Sequence, residues 1–218
     1  MLNSEAYCVY VIDVETSGRN VELHDILELS AIRSRSQMDG SFEREQKTWY
    51  LKSVSGHIED EALRINGHKR EDILWQTEFG RNRYREPAEV VVEIEQWILE
   101  DDCSALDRIF AGQNPKFDLD FCQALWKRND AAGSFPFAVG NDRRLLDTQQ
   151  VTLFFDICTG KRRLAYNLGG LVKSFEIKKG KAHQAEEDTR MTADLLEKQI
   201  LGVQEVVREK FGDCYKGG

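Results

Sequence analysis

The chain has 218 residues, a length suited to one domain of ordinary size and ample for a real core. Hydrophobic residues make up 41% and charged residues 31%, with a mean hydropathy of -0.52, so a soluble globular protein is expected rather than a fibrous or disordered one. The formal net charge of -8 argues against a general polyanion binder, and the longest uninterrupted apolar run, Ala6 to Ile12, falls far short of the ~20 residues of a membrane span.

In chain order, Ala6 to Ile12 reads as a central strand, apolar on both faces. Ile26 to Arg33 reads as a second strand and, past the turn residues Met38 to Ser41, Lys47 to Val54 as a third; together they form an antiparallel meander. Ile58 to Asn66 suggests a short helix stopped by Gly67. Pro87 to Leu99 is a longer helix, with Pro at its first position and Val90, Val91, Ile94, Trp97 and Ile98 at helical spacing. Arg108 to Ala111 is a short strand, and Asn114-Pro115 caps and opens a helix reaching about Asn129. Leu145 to Phe155, Leu164 to Phe175 and Ala185 to Leu201 read as further helices. Strands mixed with helices in this order give an α/β or α+β domain, with helices covering a mixed sheet.

The five cysteines are scattered and include no C-x-x-C pair, so neither a disulfide framework nor a zinc site is expected; the opening residues do not read as a signal peptide, and a reducing cytoplasm is the expected location. Charge is uneven. Residues 141–181 carry nine Lys/Arg against four acids, a local +5, while Glu86 to Asp102 holds seven acids and no base and reads as a solvated helix face.

In three places acids stand where acids do not ordinarily stand. Asp13 and Glu15 follow the buried strand at i and i+2, so their side chains share a side. Like charges that close resist joint ionisation unless a cation sits between them. Asp118 begins the stripe completed by Phe121, Cys122, Leu125 and Trp126 on a core-facing helix. Asp188 begins another, ahead of Met191, Leu195, Leu196 and Ile200, with His183 five residues before it. Four carboxylates and one histidine suit two-metal phosphoryl chemistry: hard oxygen ligands favour Mg²⁺ or Mn²⁺, two ions ~3.5–4 Å apart can hold both the attacking water and the leaving oxygen, and a neutral imidazole can take the proton.

Asp13-Val14-Glu15-Thr16-Ser17-Gly18, Gln113 to Asp118 and His183 to Thr189 resemble, in order and spacing, the three motifs of the DnaQ-like (DEDDh) 3′→5′ exonucleases. The tyrosine subclass would place Tyr where Gln184 stands, so His183 points to the histidine subclass. The resemblance spans most of the chain. It implies a ribonuclease H-like α/β fold in one domain over 1–218: a mixed sheet, its first three strands antiparallel, with helices on both faces.

It further implies that Asp13, Glu15 and Asp188 ligate one Mg²⁺, that Asp13 bridges to a second with Asp118 assisting, that Mn²⁺ can substitute, and that His183 is the general base. Thr16 and Ser17 would approach the terminal nucleotide, and Asn114 is grouped with the substrate-facing residues. The substrate implied is a single-stranded DNA or RNA 3′ end, cut to nucleoside 5′-monophosphates without membrane attachment. The alternative class is a catalytically silent module that binds nucleic acid or a polymerase. A free-standing enzyme, homodimeric as in the RNase T branch, is preferred, with polymerase association as the alternative. Ile65 to His68 resembles the family's segment near the 3′ end, Asp147 is read as a structural or capping residue, and Phe117 and Phe121 as core. Lys178, Lys179 and Lys181, within five residues of His183, form a basic lip for the strand.

Overall fold

The computed structural model describes residues 8–36, 41–180 and 183–211, so the expected turn at 38–40 and Lys181 lie outside the described residues. Five strands form one sheet in the order β3-β2-β1-β4-β5: β1 Cys8–Thr16, β2 Ile26–Ser36, β3 Phe42–Tyr50, β4 Arg108–Gly112 and β5 Leu145–Asp147. β1 pairs antiparallel with β2, and β2 with β3; β4 runs parallel to both β1 and β5. The expected mixed sheet with an antiparallel opening is therefore present. Among the described residues, no helix is long and apolar enough to cross a membrane.

Strand periodicity explains how the sheet is covered. Cys8, Tyr10, Ile12 and Val14 alternate onto one face, where they pack with α4 (Pro87–Leu99) and α5 (Pro115–Arg128) around Trp97, Phe121 and Trp126. Val9 and Val11 point to the other face, against Ala193 and Leu196 of α8 (Ala185–Phe211). The smaller helices are α1 (Asp60–Asn66), α2 (Arg70–Ile73), α3 (Glu78–Arg83), α6 (Thr148–Thr159) and α7 (Leu168–Ser174).

α1 ends at Gly67, whose φ of 77° is a left-handed cap that glycine adopts freely. α4 matches its expected bounds, because Pro at its start and a continuous apolar stripe leave no ambiguity.

Four expectations need correction. β1 continues through Asp13 and Glu15, so the acids stand within the strand rather than after it. The third strand begins five residues early: its polar Glu43–Gln46 stretch hides an edge strand with one open face, while residues 51–54 turn away to bond Leu27 and Asp25. Residues 145–147 are a strand rather than helix, because Leu145 and Leu146 register with Phe110 and Ala111; Asp147 then caps α6 by accepting from Gln149 N, the capping role expected of it. Cys8 and Cys103 are joined in a disulfide across 95 residues, neighbours only once β1 packs beside the α4–β4 turn.

The acidic 86–102 segment is also not uniformly solvated. Asp101 is buried and accepts hydrogen bonds from Arg108 and from Tyr10 Oη.

Candidate active site

The row Val9, Val11, Asp13, Glu15 runs along the α8 face of β1, so the same alternation that buries two valines delivers two carboxylates to α8. Asp188 stands in the first turn of α8, one turn before the stripe that covers the valines. α8 thus meets β1 with apolar side chains at one end and a carboxylate at the other. Ligand atoms of Glu15, His183 and Asp188 all lie within 4.8 Å of one another.

Asp118 reaches the same place from α5. The β1–β4 ladder stops at Val11 and Ala111, and Val14 N beyond it donates to Asp118 Oδ1 at 3.0 Å. The stripe read from the sequence is observed: Asp118, Phe121, Cys122, Leu125 and Trp126 are all buried.

His183 sits just before α8 with φ of 62°, a conformation uncommon for a side chain of its size, and its N–H donates to Asp188 Oδ2 at 2.9 Å. Its ring is exposed, near the carboxylates but open to solvent. The register between β1 and β2 shifts at Glu15/Thr16, a bulge of the kind that re-aims side chains beside active sites.

The electrostatics follow from crowding. Burial pushes Asp13 well above the usual carboxylate range, and the charges of Asp118, Glu15, Asp188 and Glu28 push it further. Glu15 is pushed up to about 8 by burial and by Asp188, Glu28 and Asp118. Burial takes Asp118 to about 7 despite the bond from Val14 N. Asp188 is raised by burial against the opposing effect of the His183 N–H and ring. Such a set holds protons unless positive charge compensates it. All-oxygen donors suit hard divalent cations, so the donor set fits the expected Mg²⁺ or Mn²⁺.

A cleft of about 270 Å³ opens beside these acids, lined by Val14, Glu15, Thr16, Arg19, Asn66 and Phe117 among others. Thr16 lines this cleft. Ser17 does not: it is fully buried, its hydroxyl donating to His57 O at 2.8 Å and accepting from Asp25 N at 3.0 Å, so it braces the turn instead of facing a ligand. Gly18 is required where it stands, because a Cβ there would lie 2.4 Å from the His24 ring.

Asn114 occupies the cap position of α5 in a left-handed conformation, but its side chain makes no capping bond; its N–H donates to Asp147 Oδ1 at 3.3 Å. Phe121 is core, while Phe117 is partly buried at the cleft wall. Lys178 and Lys179 are exposed on the segment before α8.

Beside the site, Glu28 was not singled out from sequence, and Asn66 only as part of the Ile65–His68 stretch. Glu28, 4% exposed, is the cross-strand partner of Glu15; its signal was an acid inside the apolar run Ile26 to Ile32. Asn66 is buried and donates to Thr16 O at 3.1 Å, and only the tertiary structure brings α1 to that carbonyl.

A five-stranded mixed sheet with acids from β1, α5 and α8 gathered at one strand end is the ribonuclease H-like nuclease architecture. Residues 10–196 match the family model described as Exonuclease, and the chain belongs to that DnaQ-like family. Among solved structures it is similar to Escherichia coli exonuclease I in complex with a dT13 oligonucleotide, at 16% identity and TM-score 0.71 over 95% of this chain and 44% of that one. The zinc-bound E. coli exonuclease I–ssDNA complex aligns at 17% identity and TM-score 0.70, over 93% and 42%. A moderately thermophilic exonuclease I from Methylocaldum szegediense aligns at 19% and 0.62, over 94% and 41%. The chain thus spans less than half the length of these structures. No curated protein matches it by sequence.

Proposed function

We propose that the protein is a metal-dependent 3′→5′ exonuclease that removes nucleoside 5′-monophosphates from single-stranded 3′ ends of DNA or RNA. The observation that carries this reading is the convergence of Asp13, Glu15, Asp118 and Asp188, all four raised by burial, with His183 at their edge. The 3′→5′ polarity rests on the motif resemblance and the family.

Asp13, Glu15 and Asp188 would hold one Mg²⁺ or Mn²⁺, and Asp13 with Asp118 a second. When bound, such ions supply charge to the transferring phosphoryl group and to the attacking and leaving oxygens. The chain's own groups do the rest. His183, at the solvent-exposed edge of the carboxylate cluster, accepts the proton of the attacking water and passes it to solvent. The hydrogen bond from its N–H to Asp188 fixes its loop to α8, so base and ligand move together. The cleft along Val14 to Thr16 receives the terminal nucleotide, with Asn66 bracing its floor through Thr16. Lys178 and Lys179, with Lys181, offset the repulsion between an acidic protein and an incoming strand.

Digestion of end-labelled single strands tests the reading. Stepwise release of 5′-monophosphates from the 3′ end, stopped by EDTA and restored by Mg²⁺ or Mn²⁺, is expected. Full turnover in excess EDTA would overturn it.

A further inference from the structure

A second cleft, of about 530 Å³, lies on the other side of Asn66 from the first; Asn66 lines both. The two meet at the acids, because Glu28 lines the larger cleft, Glu15 lines the smaller, and the two are cross-strand partners. Gln184, next to His183, closes the larger cleft on the α8 side.

The floor of the larger cleft is polar and incompletely satisfied. The His68 side chain is 6% exposed and binds Tyr84 Oη through Nδ1 at 2.7 Å. Its Nε2 is buried without a hydrogen-bond partner among the described residues, 3.4 Å from Glu28 Oε2: close enough for an ion pair with a protonated ring, without hydrogen-bond geometry. The rim presents an exposed aromatic and two exposed cations, Lys69 and Arg83, beside one exposed acid, Glu71. Phe79 is 56% exposed, and the Arg83 guanidinium stands 3.8 Å from the Tyr50 ring centre and 5.6 Å from that of Phe79. Residues 69–85, which supply this rim, carry five Lys/Arg against three acids.

Hydrolysis at a 3′ end needs two nucleotides held, one on each side of the scissile phosphate. Water forms the new bond to phosphorus, the bond to the 3′ oxygen of the penultimate nucleotide breaks, and that oxygen leaves as a hydroxyl with the strand. The nucleotide that leaves brings only the reacting phosphate, whereas the retained strand brings a phosphate with every further residue. The side with exposed cations and an exposed aromatic suits the retained strand, since single strands bind through basic grooves and stacking on aromatic rings.

We propose that the cleft between Asn66 and Gln184 is the subsite of the retained strand, with Phe79 stacking the penultimate base and Arg83 and Lys69 meeting its phosphate. This rests on the exonuclease reading, and it assigns a role to the α2–α3 segment that the three motifs do not cover.

The test compares wild type with Phe79→Ala/Arg83→Gln, both exposed positions, in the full chain. One readout is affinity for an oligothymidylate with phosphorothioate 3′ linkages, by fluorescence anisotropy in Mg²⁺. The other is KM for that strand's hydrolysable form relative to KM for thymidine 5′-(4-nitrophenyl phosphate), which has a leaving group but no retained nucleotide. Loss of one stacked base and one cation predicts roughly tenfold weaker oligonucleotide binding or more. The KM ratio should rise in proportion. Equal affinities, or an equal loss on both substrates, would overturn the subsite. If wild type hydrolyses neither compound yet binds the oligonucleotide more tightly than the variant does, the catalytic reading falls while the strand subsite stands. Absence of binding by both proteins would overturn both.

Discussion

Acids gather near both ends of β1, and the two ends treat them in opposite ways. Near its start, Tyr10 and Arg108 of the neighbouring strand converge on Asp101, whose side chain is fully buried; burial raises its pKa, but the hydrogen bonds from Arg108, Tyr10 and Cys103 N outweigh that and hold it below the usual carboxylate range. Near its end, Asp13, Glu15, Asp118 and Asp188 crowd together and rise. Burial alone therefore does not distinguish a structural acid from a reactive one. The direction of the pKa change separates these two ends, because at one the fold supplies a cation and at the other it leaves that to a ligand.

Paired substitutions should break the comparison most sharply. Asp13→Asn is expected to abolish exonuclease turnover while stabilising the metal-free protein, since an amide needs no proton uptake to stand uncharged among the other acids. Asp101→Asn should instead cost about 3–5 kcal/mol, because Arg108 would be left buried without its counter-charge. Its turnover per folded molecule should stay near wild type. Urea titrations with EDTA and turnover with Mg²⁺ read both, and a destabilised Asp13→Asn protein would refute the distinction.

Next in size is His183→Ala, which should lower the rate by roughly 10²–10⁴-fold, the usual loss of a general base, while metal binding by calorimetry survives. The rising limb of the pH–rate profile should vanish with it. An unchanged profile would make His183 an ordinary surface residue.

The pH dependence of stability should differ in direction at the two ends. Glu15 has a folded pKa of about 8 against 4.5 for its ordinary value, so the folded state binds the extra proton in between. The stability this group contributes is present below the ordinary value and is lost as pH rises toward 8. Asp101, with a lowered pKa, contributes stability above its ordinary value that is lost as pH falls through the folded one. Melting temperature in EDTA should therefore decline from pH 5 to 8, and Mg²⁺ or Mn²⁺ should recover most at the upper end. A metal-free Tm that climbs over that range would contradict the crowding.

The smallest effect concerns the lip. Changing Lys178, Lys179 and Lys181 to Gln should weaken single-strand binding and flatten its salt dependence, by about 0.7 in slope for each phosphate that is no longer neutralised. Isotherms over a salt series measure it, and parallel slopes would show that these lysines face away from the strand.

Much of this was legible in the chain. Asp118 and Asp188 betrayed themselves by standing at the head of apolar stripes, and helical periodicity is local, so the faces they occupy could be counted without a structure. Asp13 and Glu15 were legible as a same-side pair for the same reason. What counting could not supply was distance. That α8 crosses β1 at Asp13 and Glu15, that Val14 N beyond the β4 ladder bonds Asp118, and that Glu28 faces Glu15 depend on register between strands far apart in sequence. Tertiary contact likewise decided that Ser17 is a buried brace and that Cys8 meets Cys103. Asp101 read as solvated because its partner Arg108 lies across a turn, in a different element. Local pattern reports which face a side chain takes, and only packing determines which charge it meets there.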